Sequence, residues 1–497
     1  MKDLHSVVEV ILTAYEHRDV MSRRDFSAVW ARIPQLVSRR QPRHQHNPSS
    51  HEELLSTDDT RRMLYNIFDD TTNAIEDCDM RELTGTILGM AKIVAILRRQ
   101  SKRQGEDSSR VTLRELLLNK NMKPKVELFQ SFANASMNKL DQFDARHLSN
   151  LAYAFALIDF DDGSDLFDHI ANKAVAKTNE FKPQELSNMV WAYATMNRPH
   201  DVLFEAIGDR IVASKHLKEF RPQTLKDTAL SNTTWAFATA QVSHPDLFEN
   251  VSTAAIQRKG KGEFNNSQNI ANLLWAYATM GIVDKQLFSS FVPTAAKLID
   301  SYNNQAIANV AWAYAVANID APTLFNDMFI NECVEKKDGF ENAALFQLHQ
   351  WHLWQTKENS NIGLPIELLD SSYNVFTSED PTVSKLQEDV VAQLSFIGLD
   401  PQEEVPMDSG YRVDALVEVN GKKVGVEVDG PYHFIGKGTS PLGSTILKRR
   451  QVPSIDGIEL VSVPYWEWNE LLGKDEVKRQ DYLRKLLGLV EDNRNDT

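Results

Sequence analysis

The sequence predicts an α-helical repeat solenoid, with two helices per unit of about 38–40 residues, followed by a small α/β domain. Three observations carry that prediction. A string of the form Asn-x-x-Trp-Ala-aromatic-Ala recurs between residues 150 and 315, a Leu-Phe pair follows each copy about ten residues later, and from Ser384 the helical period gives way to short β-rich runs. Repetition at a period of this length is the signature of stacked helical pairs.

The chain has 497 residues, 42 % hydrophobic and 25 % charged, which fits several folded units and excludes collagen, a coiled-coil rod and wholesale disorder. It contains no run of 18 apolar residues, so no membrane span is expected. Cys78 and Cys333 lie in unrelated segments and make neither a disulfide framework nor a zinc cluster. With 54 basic against 69 acidic residues the net charge is −15, which repels phosphate at long range. Any nucleic-acid site must therefore be local.

Residues 1–112 read as an amino-terminal helical region with a flexible linker near 38–56, where Pro42, Pro48 and paired serines accompany His44, His46 and His51. Those histidines lack the spacing of a metal site. The first residues carry Asp3, Glu9, Glu16, Asp19 and Asp25, whereas presequences are poor in acids, so no cleavable targeting peptide is read here.

The repeat array is expected over 113–355, opening with Leu113 to Ala135 and closing with Phe340 to Trp354. Its signature positions are Asn150, Asn188 with Trp191, Asn232 with Trp235, Asn272 with Trp275, and Asn309 with Trp312; the asparagines step by 38, 44, 40 and 37 residues. The first copy has Tyr153 and no tryptophan. In the second copy Leu186, Met189, Val190 and Tyr193 line one side while Trp191 and Ala192 cover much of the rest, so the helix needs neighbours on several sides. The tryptophans are accordingly expected in the solenoid core, and the asparagines as hydrogen-bonding bridges between neighbouring helices. A solenoid also offers a long concave face to RNA or to protein.

Phe181-x-Pro183-Gln184-x-Leu186-Ser187-Asn188-x-x-Trp191-Ala192-x-Ala194 resembles the octotricopeptide, FAST-kinase-like repeat of organelle RNA-maturation factors. The resemblance implies binding to a specific organelle transcript. It does not fix which residues read bases.

Residues 356–383 read as a linker and 384–490 as the second domain: a helix from Ser384 to Ile397, strands at Tyr411–Val419, Lys423–Val428 and Glu459–Val463, and a closing helix over Val477–Leu489. Asn420-Gly421 supplies a tight hairpin turn. Alternation sends Glu427 and Asp429 to one face of their strand, and Asp414 on the paired strand joins them. Three convergent carboxylates call for Mg²⁺, or for the basic run Lys448-Arg449-Arg450, as partner. Gly438 to Thr445 imitates a phosphate-binding loop but lacks its lysine, and His349 with His352 lacks a third metal ligand.

Glu427-x-Asp429-Gly430-Pro431-x-His433-Phe434, then Leu447-Lys448-Arg449-Arg450, then Val463-Pro464-Tyr465-x-x-Trp468 resembles the RAP domain. That resemblance implies a restriction-endonuclease-like fold, in which Asp414 and Glu427 match the acidic positions while Asp429 stands at the lysine position, with Lys448 available from the neighbouring helix.

The function expected is sequence-selective RNA binding in organellar RNA processing, stability or ribosomal RNA maturation. On this reading the partner is single-stranded messenger or ribosomal precursor RNA, together with ribonucleoprotein partners, in the mitochondrial matrix or plastid, with the cytoplasm left open. His433, Lys448, Arg449 and Arg450 grip the backbone, and no cofactor is required. The alternatives are a metal-dependent endoribonuclease, with Asp414, Glu427 and Asp429 on Mg²⁺ and Lys448 stabilising charge, and a protein-interaction scaffold.

Overall fold

The computed structural model describes residues 4–38, 57–99, 108–161, 163–213, 227–358, 362–378, 382–471 and 476–489. The expected histidine-bearing linker near 38–56 lies almost wholly outside the described residues. The chain divides into two compact units, Met1–Ala229 and Leu230–Thr497.

The first unit holds α1 (Val7–Glu16), α2 (Arg23–Val37), α3 (Thr57–Asn73), α4 (Met80–Arg99), α5 (Ser108–Leu117), α6 (Val126–Lys139), α7 (Ala145–Ile158), α8 (Leu166–Ala176), α9 (Pro183–Thr195) and α10 (Asp201–Ala213). The division falls at the start of α11 (Asp227–Thr239). Helices α2, α4, α7 and α9 pack in succession as one layer, and α8 packs on α10 in the other. The layering begins earlier than the signature does. In α2 and α4 the Asn-x-x-Trp string is absent, yet α2 and α4 pack closely, because a Cβ on Gly89 would lie 2.3 Å from the Trp30 carbonyl oxygen.

The signature helices whose starts are described open on side-chain caps. Glu185 accepts from the Lys182 amide at 2.9 Å, Asp144 from His147 at 2.9 Å, and Asn266 and Asn303 likewise accept from the third residue beyond. These caps satisfy amides that the helix leaves unpaired. At the other end Asp159, Asn197, Gln241, Gly281 and Asn318 all take positive φ. The next amide then turns back to the buried aromatic's carbonyl, as from Arg198 to Tyr193 (3.0 Å) and from Ile282 to Tyr277 (2.9 Å).

The aromatic five residues after each signature Asn is the core residue: Phe155, Tyr193, Phe237, Tyr277 and Tyr314 are at most 1 % exposed. The tyrosine hydroxyls donate to the carbonyl of the preceding Leu-Phe phenylalanine, Tyr193 to Phe167 and Tyr277 to Phe248 at 2.5 Å, and Tyr314 to Phe288 at 2.9 Å. The same rings meet edge to face at 5.0–5.3 Å. Successive helices are also tied by serine, with Ser149 donating to the Glu185 carbonyl and Ser187 to the Ala229 carbonyl.

The second unit continues with α12 (Pro245–Gly260), α13 (Ser267–Thr279), α14 (Lys285–Lys297), α15 (Asn304–Ala317), α16 (Asp327–Glu335) and α17 (Asn342–Leu353). Here α13, α15 and α17 form the layer. The stretch expected as a linker contains α18 (Ile366–Thr377), which packs on α17. Then follow α19 (Lys385–Phe396), β1 (Gln402–Pro406), β2 (Arg412–Val419), β3 (Lys422–Asp429), α20 (Gly443–Asp456), β4 (Glu459–Pro464), α21 (Tyr465–Leu471) and α22 (Glu476–Leu486). The sheet runs β1-β2-β3-β4, antiparallel except for β3 with β4, whose crossover is α20. Asn420 and Gly421 both take positive φ in the β2–β3 turn. Val424, Val426 and Val428 join Ala415, Val417 and Val419 in a core with α19 and α22.

This α/β domain is welded to the last repeats. Gln350 Nε2 donates to the Tyr411 hydroxyl (2.8 Å), which donates to Gln451 Oε1 (2.8 Å), whose amide nitrogen returns to the Gln350 carbonyl (2.9 Å). His349 is buried and hydrogen-bonded to the Ser409 carbonyl. Gly443 seats α20 on α13, where a Cβ would lie 1.9 Å from the Ala278 carbonyl oxygen.

Candidate nucleic-acid interface

Residue pairing sets the geometry of the α/β site. Ala415 opposes Val426, so the next pair along the ladder is Asp414 with Glu427. With Val424, Val426 and Val428 committed to the core, Glu427 and Asp429 face α20, whose successive residues Lys448 and Arg449 meet them. Lys448 Nζ lies 2.5 Å from Glu427 Oε2, and Arg449 donates to Asp429 Oδ2 at 2.6 Å. Asp429 also accepts from the Ser462 hydroxyl (2.5 Å) and pairs with His433 Nδ1 (2.9 Å). Asp414 accepts from the Val428 amide at 2.6 Å.

The two acids on β3 are driven in opposite directions. Burial pushes Glu427, 2 % exposed, up to about 7 against the pull of Lys448, and one carboxylate oxygen, Oε1, has no hydrogen-bond partner among the described residues. Burial would likewise raise Asp429, but hydrogen bonds from His433, Ser462 and Arg449 outweigh it and hold the group well below the usual carboxylate range. His433 is raised by its hydrogen bond to Asp429. Burial raises Asp414. The Lys448 ammonium loses solvation but is raised by Glu427 and Asp414, so the pair titrates through Glu427 while the lysine stays charged.

The expected convergence of Asp414, Glu427 and Asp429 on one metal ion is not formed. Asp429 is drawn aside by three donors of its own, and among the described residues no group of three His, Cys, Asp or Glu side chains is placed to hold a metal. No step through Mg²⁺ is derived.

Residues 426–486 match the family model of the RAP domain. The chain carries a RAP domain. Residues 120–245 match the model described as RNA-editing substrate-binding complex 6 protein. The chain is also similar to the RAP domain-containing protein, chloroplastic, of Oryza sativa subsp. japonica, at 28 % identity over 224 residues. That alignment covers 44 % of this chain and 29 % of the rice protein, so it spans less than a third of the relative's length.

Most of the RAP domain's expected backbone-gripping cations have internal partners. Lys448 and Arg449 are held by Glu427 and Asp429, and Arg450 donates to the Ala315 and Val316 carbonyls at the end of α15. His433 stays half-exposed beside Tyr432, which is 77 % exposed. Next to them Phe434 packs on Trp466 at 4.3 Å, with the Arg449 guanidinium over the Phe434 ring at 5.9 Å from its centre. Sequence reading missed Tyr432 and the Ser462 hydroxyl; neither the strand pattern nor the motif distinguishes them.

The repeat signature also differs from expectation. Trp191, Trp235 and Trp275 are half-buried, as are Tyr153 and the asparagines Asn150, Asn188, Asn232 and Asn272. Trp312 is buried, its indole N–H donating to Gln350 Oε1 at 2.8 Å, and Asn309 is buried with it. The bridging role expected of the asparagines is replaced by a bond within the helix: each of Asn188, Asn272 and Asn309 accepts from the glutamine four residues earlier at 2.7–3.0 Å. The reason is angular. At about 100° per residue, positions Asn−4, Asn, Asn+3 and Asn+7 fall within one narrow stripe, while the core aromatic at Asn+5 points well away from it. Among the described residues no helix is long and apolar enough to cross a membrane.

Proposed function

We propose that this protein binds single-stranded RNA in a plastid or mitochondrion and acts in the processing, stability or ribosomal maturation of its transcripts. What carries the reading is the combination in one chain of a RAP domain with helical repeats that keep an aromatic and an amide at the surface of successive units. The family match of residues 120–245 to an RNA-editing substrate-binding component supports RNA as the partner, and the chloroplastic relative supports an organelle. Binding needs no cofactor: stacking and amide contacts act on RNA without one. The RAP domain holds RNA and does not cut it, because Glu427 and Lys448 neutralise each other. Around it Tyr432 and His433 offer a stacking ring and a proton donor to the strand.

Crosslinking in cells, followed by sequencing of the attached RNA, tests target and compartment together. Enrichment of organellar transcripts is the expected result. Recovery of no RNA above an uncrosslinked control would leave the scaffold reading in its place.

A further inference from the structure

We infer that the stripe on α4, α7 and α9 is a nucleotide-binding subsite in which unpaired bases stack on Tyr153 and Trp191 while Arg99 takes a phosphate. The inference deepens the RNA-binding reading and rests on it.

Four observations converge there. The rings of Tyr153 and Trp191 belong to adjacent helices, yet their centroids are 5.0 Å apart and both are half-buried, so two aromatic surfaces meet at the protein's edge. The core has no need of them: the equivalent helices are packed by Phe155 and Tyr193, both 1 % exposed. Unlike Tyr193, whose hydroxyl is committed to the Phe167 carbonyl, Tyr153 has no hydrogen-bond partner among the described residues. Finally, Arg99 lies near enough for its charge to act on the Tyr153 hydroxyl, and among the described residues it forms no salt bridge.

The polar groups beside the rings suit bases. Gln184 Nε2 donates to Asn188 Oδ1 at 3.0 Å, which fixes the Asn188 amide and leaves its NH₂, on the stripe shared with Trp191, to donate elsewhere. A half-buried aromatic flanked by amides fits a peptide too, but in a chain of net charge −15 the Arg99 cation close to Tyr153 favours a polyanion. Because other repeats present the same Asn and Trp, the stripe reads the presence of a base more than its identity.

The test uses the full chain and a fluorescein-labelled pool of short single-stranded RNAs of random sequence, read by anisotropy. Tyr153→Ala and Trp191→Ala should each weaken binding about tenfold or more, with Trp191→Phe recovering most of the loss. Arg99→Gln should weaken binding and lower the slope of log affinity against log salt by about one. Ultraviolet crosslinking of the unsubstituted chain, which no folding defect can confuse, should place RNA on the peptides containing Tyr153 or Trp191. If the wild-type chain binds the pool but the alanine variants bind equally and crosslinks fall elsewhere, the subsite is wrong and RNA binding stands. If the wild-type chain binds none of the pool, both readings fall.

Discussion

Replacing Lys448 by Met keeps most of the side chain's apolar stem but removes the ammonium that lies 2.5 Å from Glu427. Glu427 is 2 % exposed and is already raised to about 7 with the lysine present. Breaking a buried pair on one side costs about 3–5 kcal/mol, since the acid left behind is either charged without compensation or made to hold a proton. The cost must depend on pH. In the wild type the folded state holds a proton that the unfolded chain gives up near 4.5, so stability falls from there until Glu427 ionises near 7, then levels off. Without Lys448 the carboxyl stays protonated higher, and the decline continues at about 1.4 kcal/mol per pH unit. The variant should therefore lose about 1.4 kcal/mol more, relative to wild type, at pH 8 than at pH 6. Hydrogen exchange on peptides covering β3, followed in the full chain at both pH values, reads this locally. A cost below about 1 kcal/mol, or the same cost at both pH values, refutes the buried pair. Glu427→Leu combined with Lys448→Met should recover most of the stability.

Three further outcomes follow from the same geometry. His433 is raised above its ordinary 6.5, so its bond to Asp429 is fully present below that pH and fades as pH climbs past the folded value; Asp429 is lowered from 3.8, so its share fades only on strong acidification. Thermal melting from pH 6 to 9 should show a decline that His433→Gln reduces, by less than about 1 kcal/mol because the imidazole is half-exposed. Tyr277→Phe removes the hydroxyl bonded to the Phe248 carbonyl and should cost about 1–3 kcal/mol in denaturant titration, since that carbonyl is left buried without its donor. Gly443→Ala drives a methyl group into the Ala278 carbonyl and should lower the melting temperature and raise exchange in α13 and α20, whereas Gly457→Ala, with nothing within 4 Å, strains only its own backbone.

The periodic string was enough to place α7, α9, α11, α13 and α15, because apolar spacing, cap residues and the Leu-Phe pair all repeat together. The same string did not say which aromatic is buried. Trp191 is larger than Tyr193 and reads as the better core residue, but packing is decided by angle around the helix, and only the contacts of Tyr193 with Phe167 settle it. The glutamine four residues before Asn188, Asn272 and Asn309 was visible throughout and marks the surface stripe in retrospect. Helices α2 and α4 escaped because Gly89 and Trp30 do in another way what alanine and tryptophan do in the later units. In the RAP domain, strand alternation correctly set Glu427 and Asp429 on one face. The basic run Lys448-Arg449-Arg450 was legible as a partner of the acids, but not that Lys448 would take Glu427 and Arg449 Asp429, or that Arg450 would be spent on the carbonyls ending α15.

The claim on which the account turns is that the repeat units hold unpaired bases. Affinity of the full chain for one RNA sequence, as a free strand and as a blunt duplex, measured over a range of salt concentrations, tests it most directly. The account predicts that the free strand binds at least about tenfold more tightly and that log affinity falls linearly with log salt. Equal affinity for the duplex, or binding indifferent to salt, would contradict it.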